Sequence, residues 1–399
     1  MPRIGFAYNQ KPESDALLRS EDGDPLPDEE PPSRRRDDES RISDSPASTG
    51  AAVASATGVG DEFAEWDSAE TIDAVERALS HLGEVIRLEA DEDFPERLRA
   101  TRPDIVFNIA EGLNGVNREA HVPAICEFFG IPYSGSDPFT LSACLDKART
   151  KEILSHHGVP TAEFALVTDL VEVAALRDRE YPLFVKPVHE GSSKGITEKN
   201  FCRTHDELEA QVAFLLEQYA QPVLVESYLP GAEFTCAILG NGAGARVLPI
   251  VGMNFGSLPE GALPVYGFEA KWVWDRPEQP LEIFECPARI GEELRSEIEQ
   301  VVLRAYRVLG CRDWSRVDVR LDAAGRPNVV EVNPLPGILP DPADNSCFPK
   351  AARAVGMGYD ELIQRCALLA AERQGVSLTG DARRAGAHHR ADARVAAQR

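Results

Sequence analysis

Apolar positions along the chain fall into short runs and into longer stretches with helical spacing, and their order sketches the architecture. "RIGFAY" (residues 3–8) reads as a short buried strand. In "EWDSAETIDAVERALSHLG", Ile72, Val75, Ala78, Leu79 and Leu82 repeat at helical spacing behind Ser68, a capping residue type, and Gly83 closes the helix. "EVIRL" and "PDIVFNI" predict strands around a short helical piece, and "AHVPAICEFFGIPYSGS" predicts a helix stopped at Gly130 before a turn at Pro132. Strand, helix, strand, helix argues for an open parallel sheet in an N-terminal α/β domain.

The next stretch, "SACLDKARTKEILSHHG", reads as one helix leading through "VPTAEFALV" into an α+β unit made of "PLFVKP", "HDELEAQVAFLLEQY", "VLVESYL" and "EFTCAIL". A further block follows through "RVLPIVGM", "YGFEAKW" and the helix "EELRSEIEQVVLRAYRVLG". In it "VDVRL" and "PNVVEVN" flank "DAAGRP" as a hairpin of two core strands, and "YDELIQRCALLAAERQG" forms a closing helix. These blocks give domains over residues 1–140, 141–235 and 236–375. Residues 11–61, rich in Pro, Ser, Asp and Glu, offer little apolar surface to offset ordering entropy and read as a disordered insertion. Residues 376–399 read as a basic disordered tail.

Composition narrows the function. A net charge of −24 removes the broad cationic field that would gather nucleic acid or an anionic membrane. An anionic substrate would need a local cluster of Lys and Arg. The 8 cysteines show no CxxC or Cys/His ligand spacing, so zinc is not expected and the thiols read as reduced. No apolar run is long enough to span a bilayer, and the start lacks a secretory signal, which together point to the cytoplasm. "GNGAGA" (residues 240–245) mimics a dinucleotide fingerprint but sits between strand-like runs, where a hairpin turn is the better reading.

Candidate chemistry concentrates in the hairpin. Asp318, Glu331 and Asn333 are oxygen-bearing side chains inside apolar runs, and strand alternation puts Glu331 and Asn333 on one face. Buried carboxylates need a cation or hydrogen-bond partner, and a hard Mg²⁺ takes one or two carboxylates plus phosphate oxygens. Pairing of Arg316 with Asp318 is the plainer alternative. Lys186 ends "PLFVK" and Lys147 lies in "LDKARTK"; each alone reads as a solvated lysine. Beside them the loop "EGSSKG" offers backbone amides around Gly191 and Gly195, the hydroxyls of Ser192 and Ser193, and Lys194, a set able to close over a triphosphate. No Walker motif occurs, no nucleophilic triad is supported, and His189 is the histidine placed to matter. "VLVESYLPGAEF" presents Glu226, Tyr228 and Leu229 where an adenine edge would meet a strand, and Glu233 where ribose hydroxyls would fall.

Taken in order, "VKPVHEGSSKGI", "VLVESYLPGAEFT", "YGFEAKW", "SRVDVRL" and "EVNPLPG", with "GIPYSGSDPFTLSACLDKARTK" before them, resemble the D-alanine–D-alanine ligase family of the ATP-grasp superfamily over about residues 71–375. The resemblance implies an ATP-grasp fold: an N-terminal open parallel α/β domain, a central ATP-grasp subdomain and a C-terminal α+β subdomain. It also implies an ATP-dependent carboxylate–amine ligase of peptidoglycan synthesis, working through an acyl phosphate on small amino-acid substrates. On it, Lys147, Lys186 and Lys271 would hold ATP phosphates, with Ser192, Ser193 and Lys194 in the loop that closes the site. Glu226, Tyr228 and Leu229 would line the adenine pocket and Glu233 would meet the ribose. Asp318, Glu331 and Asn333 would bind Mg²⁺, or Mn²⁺ in its place; Arg316 and the Gly337 amide would stabilise an oxyanion; Ser346 would bind the second substrate's carboxylate. Related ligases are often dimers, which leaves a homodimer open.

The chain departs from the family pattern in places. The glycine-rich turn with Ser-x-Glu after the first strand is replaced by "YNQKPESD" and the insertion, Trp272 stands where a tyrosine is common, and extra residues separate Gly337 from Ser346. Two other readings therefore stay open: a ligase of this fold for a different amino-acid or hydroxy-acid pair, and a non-catalytic ATP-binding regulator. Against the regulator stands Arg316, since simple ATP binding has no need of an oxyanion arginine.

Overall fold

The β1 strand (Arg3–Tyr8) opens a sheet whose apolar runs are covered on both faces, as parallel sheets require. The computed structural model describes residues 1–12, 65–259, 262–265, 267 and 281–378. Contacts group residues 1–10 with the described residues from Trp66 onward in one unit. Most of the expected insertion and tail, together with Lys271 and Trp272, lies outside the described residues.

In the first unit β1 is followed by α1 (Ala69–Ser80), β2 (Glu84–Glu89), α2 (Phe94–Thr101), β3 (Ile105–Asn108) and α3 (His121–Phe129). β1 lies between β2 and β3, all parallel, so the expected open parallel sheet is present. Alternation sorts its side chains: Ile4, Phe6 and Tyr8 pack with Ile72, Val75 and Leu79 of α1, whereas Ala7 faces Phe94, Leu98 and Cys126 of α2 and α3. Ser68 caps α1 by accepting from the Thr71 amide, and Gly130 ends α3 in the left-handed region at φ 65°. Gly83 lies just past the end of α1, where a Cβ would collide with the Pro2 carbonyl.

The stretch expected as one helix is two, α4 (Pro138–Leu145) and α5 (Lys147–His156). Asp146 between them is extended at ψ 98°, and its carboxylate accepts from the Arg149 amide, so a side-chain cap starts a new helix where periodicity alone runs on. Next, β4 (Phe164–Val167), β5 (Leu183–Pro187), β6 (Phe201–Cys202), α6 (His205–Tyr219) and β7 (Val223–Ser227) build an antiparallel sheet in the order β4-β7-β5-β6. α6 covers one face with Leu208, Val212 and Leu215 against Val185 and Val225. The other face carries Lys186 and Glu226, and there Ala148 of α5 packs with Val188 and Leu224.

The largest sheet contains β8 (Glu233–Leu239), β9 (Arg246–Val247), β10 (Val251–Met253), β11 (Phe284–Glu285), then, after α7 (Glu292–Val308), β12 (Trp314–Leu321) and β13 (Pro327–Asn333). β8 and β9 pair around residues 240–245, so "GNGAGA" is a hairpin connection. β12 and β13 form the expected antiparallel pair. The run "RVLPIVGM" divides into β9 and β10 around Pro249, which has no N–H to give a ladder. α7 buries Ile298, Val302, Ala305 and Tyr306, a helical stripe, against Val317 and Val319. α8 (Cys347–Arg353) and α9 (Tyr359–Gln374) close the chain, α9 packing with α1 in the first sheet's core. No helix among the described residues is long and apolar enough to cross a membrane.

Trp314 ties these parts together: fully buried, its ring lies 5.9 Å from that of Phe107 on β3 and 5.6 Å from that of Phe348 on α8. Trp314→Ala is expected to cost about 3–5 kcal/mol by lost burial and the cavity left behind. A chemical-denaturation midpoint within error of wild type would contradict this packing role.

Candidate functional site

The polar face of β12 gathers the site. Val317, Val319 and Leu321 point into the α7 core, so Arg316, Asp318 and Arg320 emerge together on the opposite face. Register places Arg316 beside Asn333 and Asp318 beside Glu331 on β13, and Asp318 beside Thr235 and Arg320 beside Glu233 on β8. The ladder shifts between Asp318 and Val319, skipping Val330, and this bulge sets Glu331 and Asn333 on the site face while Val329 and Val332 stay in the core.

Asp318 is the most heavily bonded carboxylate there. It accepts from Arg316 through Nε at 3.1 and 3.2 Å and through a terminal nitrogen at 2.9 Å, from Asn333 Nδ2 at 3.3 Å, and from the Thr235 hydroxyl. The pairing of Arg316 with Asp318 is thus real. Burial works against the guanidinium's charge, but Asp318 outweighs it and leaves the Arg316 pKa raised.

A second group of charges lies where α5 meets both neighbouring sheets. Lys147 Nζ is 2.8 Å from Glu331 Oε1 and donates to the Glu190 carbonyl at 2.5 Å. One helical turn on, Lys151 Nζ is 2.8 Å from Glu226 Oε2 and donates to the Thr161 hydroxyl at 2.7 Å, while Lys186 Nζ is 2.8 Å from Glu226 Oε1. Glu226 therefore sits between two lysines, and all three side chains are buried. Burial would raise the Glu226 pKa, but Lys151 and Lys186 overcome it and hold it down at about 2. Glu331 is held at about 2 in the same way, by Lys147 and then Lys186 against its burial. Lys151, the deepest, is lowered by burial and by Lys186, whereas Lys186 is raised because Glu226 and Glu331 outweigh burial.

The loop over this group is anchored at its ends. The His189 amide donates to Gln221 Oε1 at 2.7 Å, its carbonyl accepts from Arg118 at 3.1 Å, and its ring Nε2 is 3.4 Å from Asp146 Oδ2. At the far end Asn200 Nδ2 donates to the carbonyls of Val185 and Gly195, each at 2.7 Å. Ser192 and Ser193 both lie in the left-handed region, at φ 50° and 63°, and Lys194 Nζ is 3.8 Å from Glu190 Oε2. Gly195 is required as glycine, since a Cβ would meet Pro187 Cγ at 2.7 Å.

Tyr228 and Leu229 are half-buried in the connection from β7 to β8. The Tyr228 hydroxyl accepts from Arg320 at 2.8 Å, and Glu233 Oε2 accepts from Arg320 at 3.0 Å. Ser346 donates to the Gly337 carbonyl at 3.3 Å and accepts from the Leu339 amide at 3.2 Å, so Gly337 and Ser346 are neighbours across their intervening loop. A Cβ added at Gly337 would point into open space. Of the candidate residues, Lys271 alone falls outside the described residues. Lys151, Thr235 and Arg320 were not singled out by sequence. Lys151 was signalled only by its spacing of four from Lys147, and Arg320 only by strand alternation after Arg316 and Asp318.

Known proteins share this arrangement of elements. The family model described as D-ala D-ala ligase C-terminus matches residues 153–367. A D-alanine–D-alanine ligase of Bordetella petrii is 35% identical over 266 residues, covering 66% of this chain and 75% of that protein. One of Mannheimia succiniciproducens is 34% identical over 305 residues, covering 75% of this chain and 91% of that protein. Among solved structures, a D-alanine–D-alanine ligase from Bacillus anthracis complexed with ATP superimposes with a TM-score of 0.61 at 21% identity, over 94% of this chain and 99% of that one. VanG D-Ala:D-Ser ligase from Enterococcus faecalis gives 0.60 at 20% identity, over 92% of this chain and 99% of that one.

The buried triad yields a pH prediction. A carboxylate depressed from 4.5 to about 2 stabilises the fold above its unfolded pKa, and that stability drains away as pH falls through the interval toward about 2. Glu226→Gln is expected to lose about 3–5 kcal/mol at neutral pH, because two buried lysines lose their counter-charge. Its stability should also fall less steeply than wild type below pH 4.5. Parallel acid-unfolding curves for the two proteins would rule out this role for Glu226.

Proposed function

The chain belongs to the D-alanine–D-alanine ligase family, and on that premise we propose that it activates the carboxylate of D-alanine with ATP and joins it to the amine of a second D-alanine or a closely similar acceptor. It is an ATP-dependent carbon–nitrogen ligase with the ATP-grasp fold. The observation that carries the reading is the gathering of Arg316 and Asp318 of β12 with Glu331 and Asn333 of β13 on one sheet face, with Lys147 bound to Glu331 at 2.8 Å.

A carboxylate is a poor electrophile near neutral pH, and its conversion to an acyl phosphate makes it attackable by an amine. Lys147 and Lys186 would bind the nucleotide phosphates. Both enter from buried positions against carboxylates, so they are oriented before the ligand arrives. Asp318, Glu331 and Asn333 supply hard oxygen donors that fit Mg²⁺, or Mn²⁺ in its place, which when bound neutralises charge on the phosphoryl oxygens. Among the described residues no cluster of three or more His, Cys, Asp or Glu is gathered, so these residues would hold the ion together with phosphate oxygens. Tyr228, Leu229 and the strand end at Glu226 would receive the adenine, and Glu233 the ribose hydroxyls.

Ser192, Ser193 and Lys194 would close over the phosphates and keep water from the acyl phosphate. Arg316 and the Gly337 amide would meet the negative charge of the tetrahedral intermediate. Ser346, a hydrogen bond away from the Gly337 carbonyl, would orient the acceptor's carboxylate beside that point. Such an enzyme would work in the cytoplasm and supply a dipeptide for peptidoglycan.

The test is phosphate release from ATP and Mg²⁺ across single and paired D- and L-amino acids and hydroxy acids, with product masses. D-alanine alone should support release and yield its dipeptide. Release with another pair only would reassign the substrates, and ATP binding without release for any pair would favour a regulator. Glu331→Ala should lose at least about a thousandfold in turnover while keeping its circular dichroism spectrum. Wild-type turnover in that variant at saturating Mg²⁺ would remove Glu331 from the metal site.

A further inference from the structure

Arg320 has no part in the reaction outlined above, yet it is among the most confined cations of the fold. It is 94% buried, with a relative exposure of 6%. Its guanidinium carbon lies 4.9 Å from the ring centre of Tyr228 and 5.5 Å from that of Phe255. One terminal nitrogen bonds Glu233 Oε2 at 3.0 Å; the other donates to the Tyr228 hydroxyl at 2.8 Å and the Pro264 carbonyl at 2.9 Å. Its Nε is buried without a hydrogen-bond partner.

We propose that Arg320 is a specificity-determining residue at the nucleoside end of the site, holding the Glu233 carboxylate as an oriented acceptor for the ribose hydroxyls. The inference rests on the nucleotide-binding reading of Tyr228 and Glu233 and deepens it.

Several features support the assignment. Arg320 and Glu233 face each other across adjacent strands, β12 and β8, so their meeting is set by backbone register. The guanidinium occupies one oxygen of Glu233, and no hydrogen bond to the other oxygen occurs among the described residues, which leaves it to accept from a ligand hydroxyl. Burial alone would favour the protonated carboxyl, which offers one acceptor fewer, and Arg320 is the largest influence opposing that change. Cation–π contacts with Tyr228 and Phe255 add to the hydrogen bonds that hold the guanidinium in place. A lone glutamate at the end of β8 would be free to swing; clamped this way, it presents a fixed acceptor to a 2′- or 3′-hydroxyl.

The experiment is calorimetric binding of ATP, 2′-deoxyATP and 3′-deoxyATP to the full chain with Mg²⁺, for wild type, Arg320→Met and Arg320→Gln, each checked by melting temperature. Wild type should bind ATP about tenfold or more tightly than at least one deoxy analogue, as expected for a hydroxyl bonded to a carboxylate. Both variants should bind all three within about twofold of one another while retaining the adenine and phosphate contacts. If Arg320→Met fails to fold, Arg320→Gln, which keeps a hydrogen-bond donor but no charge, decides the matter. Wild-type discrimination in a folded variant would overturn the inference. So would a wild type that binds all three equally, which leaves the nucleotide site itself intact. A wild type that binds none of them would overturn the nucleotide-site reading and this inference with it.

Discussion

The structure depends on the sharing of two carboxylates, the buried Glu226 and the half-buried Glu331, among three buried lysines. Lys147 and Lys151 leave α5 on the same side, one turn apart, and reach Glu331 and Glu226 on different sheets; Lys186 closes the group from β5. Taking an ion out of water costs several kcal/mol even after relaxation, so no member is tolerable there alone. The group therefore constrains geometry more than it adds stability: α5 must sit where both sheets can supply an acid. Three lysines against two carboxylates also leave a local cationic surplus inside a chain whose net charge is −24. An anionic substrate needs such a focus, and low-dielectric walls strengthen it.

The strand face beside that group is rigid for a different reason. β12 is fastened on both edges, to β8 and to β13, and its other face is locked into the α7 core. Arg316, Asp318 and Arg320 consequently project from a backbone with little freedom to relax, and a bulge beside Asp318 adjusts the two acids and Asn333 to one another. The loop at residues 190–196 contrasts with this. Its ends are pinned by Gln221, Arg118 and Asn200, while Ser192 and Ser193 occupy a left-handed backbone that costs roughly 1–2 kcal/mol per residue. The strand face is thus held rigid, while the loop is tied down at its ends and strained between them.

Much of this was legible in the sequence because it is local. Ser68 ahead of a helical repeat, Gly130 after one, and "DAAGRP" between two alternating runs each state their element within a few residues, and each appears as expected. The break at Asp146 was hidden, since a capping aspartate inside a continuous helical pattern looks like any polar residue on an exposed face. Lys151 and Arg320 were hidden for a physical reason of another kind. A cation in a helix or strand reads as solvated unless its partner is known, and the partner of Arg320 lies 87 residues away. Strand register and helix placement bring such pairs together, and neither leaves a mark on the local pattern.

The same reasoning explains how one strand can present three separate groups of polar contacts. Successive outward residues of a strand are about 7 Å apart, so Arg316, Asp318 and Arg320 spread along one sheet face. Along β12, Arg316 lies nearest the Gly337 and Ser346 end through its partner Asn333, Asp318 joins the acids in the middle, and Arg320 stands with Glu233 and Tyr228. Changing a side chain on that face can retune one end while the core-facing valines keep the spacing of the others. Of the departures from the family pattern, the one after the first strand follows β1, in a different sheet, whereas the loop between Gly337 and Ser346 lies at the Arg316 end of β12.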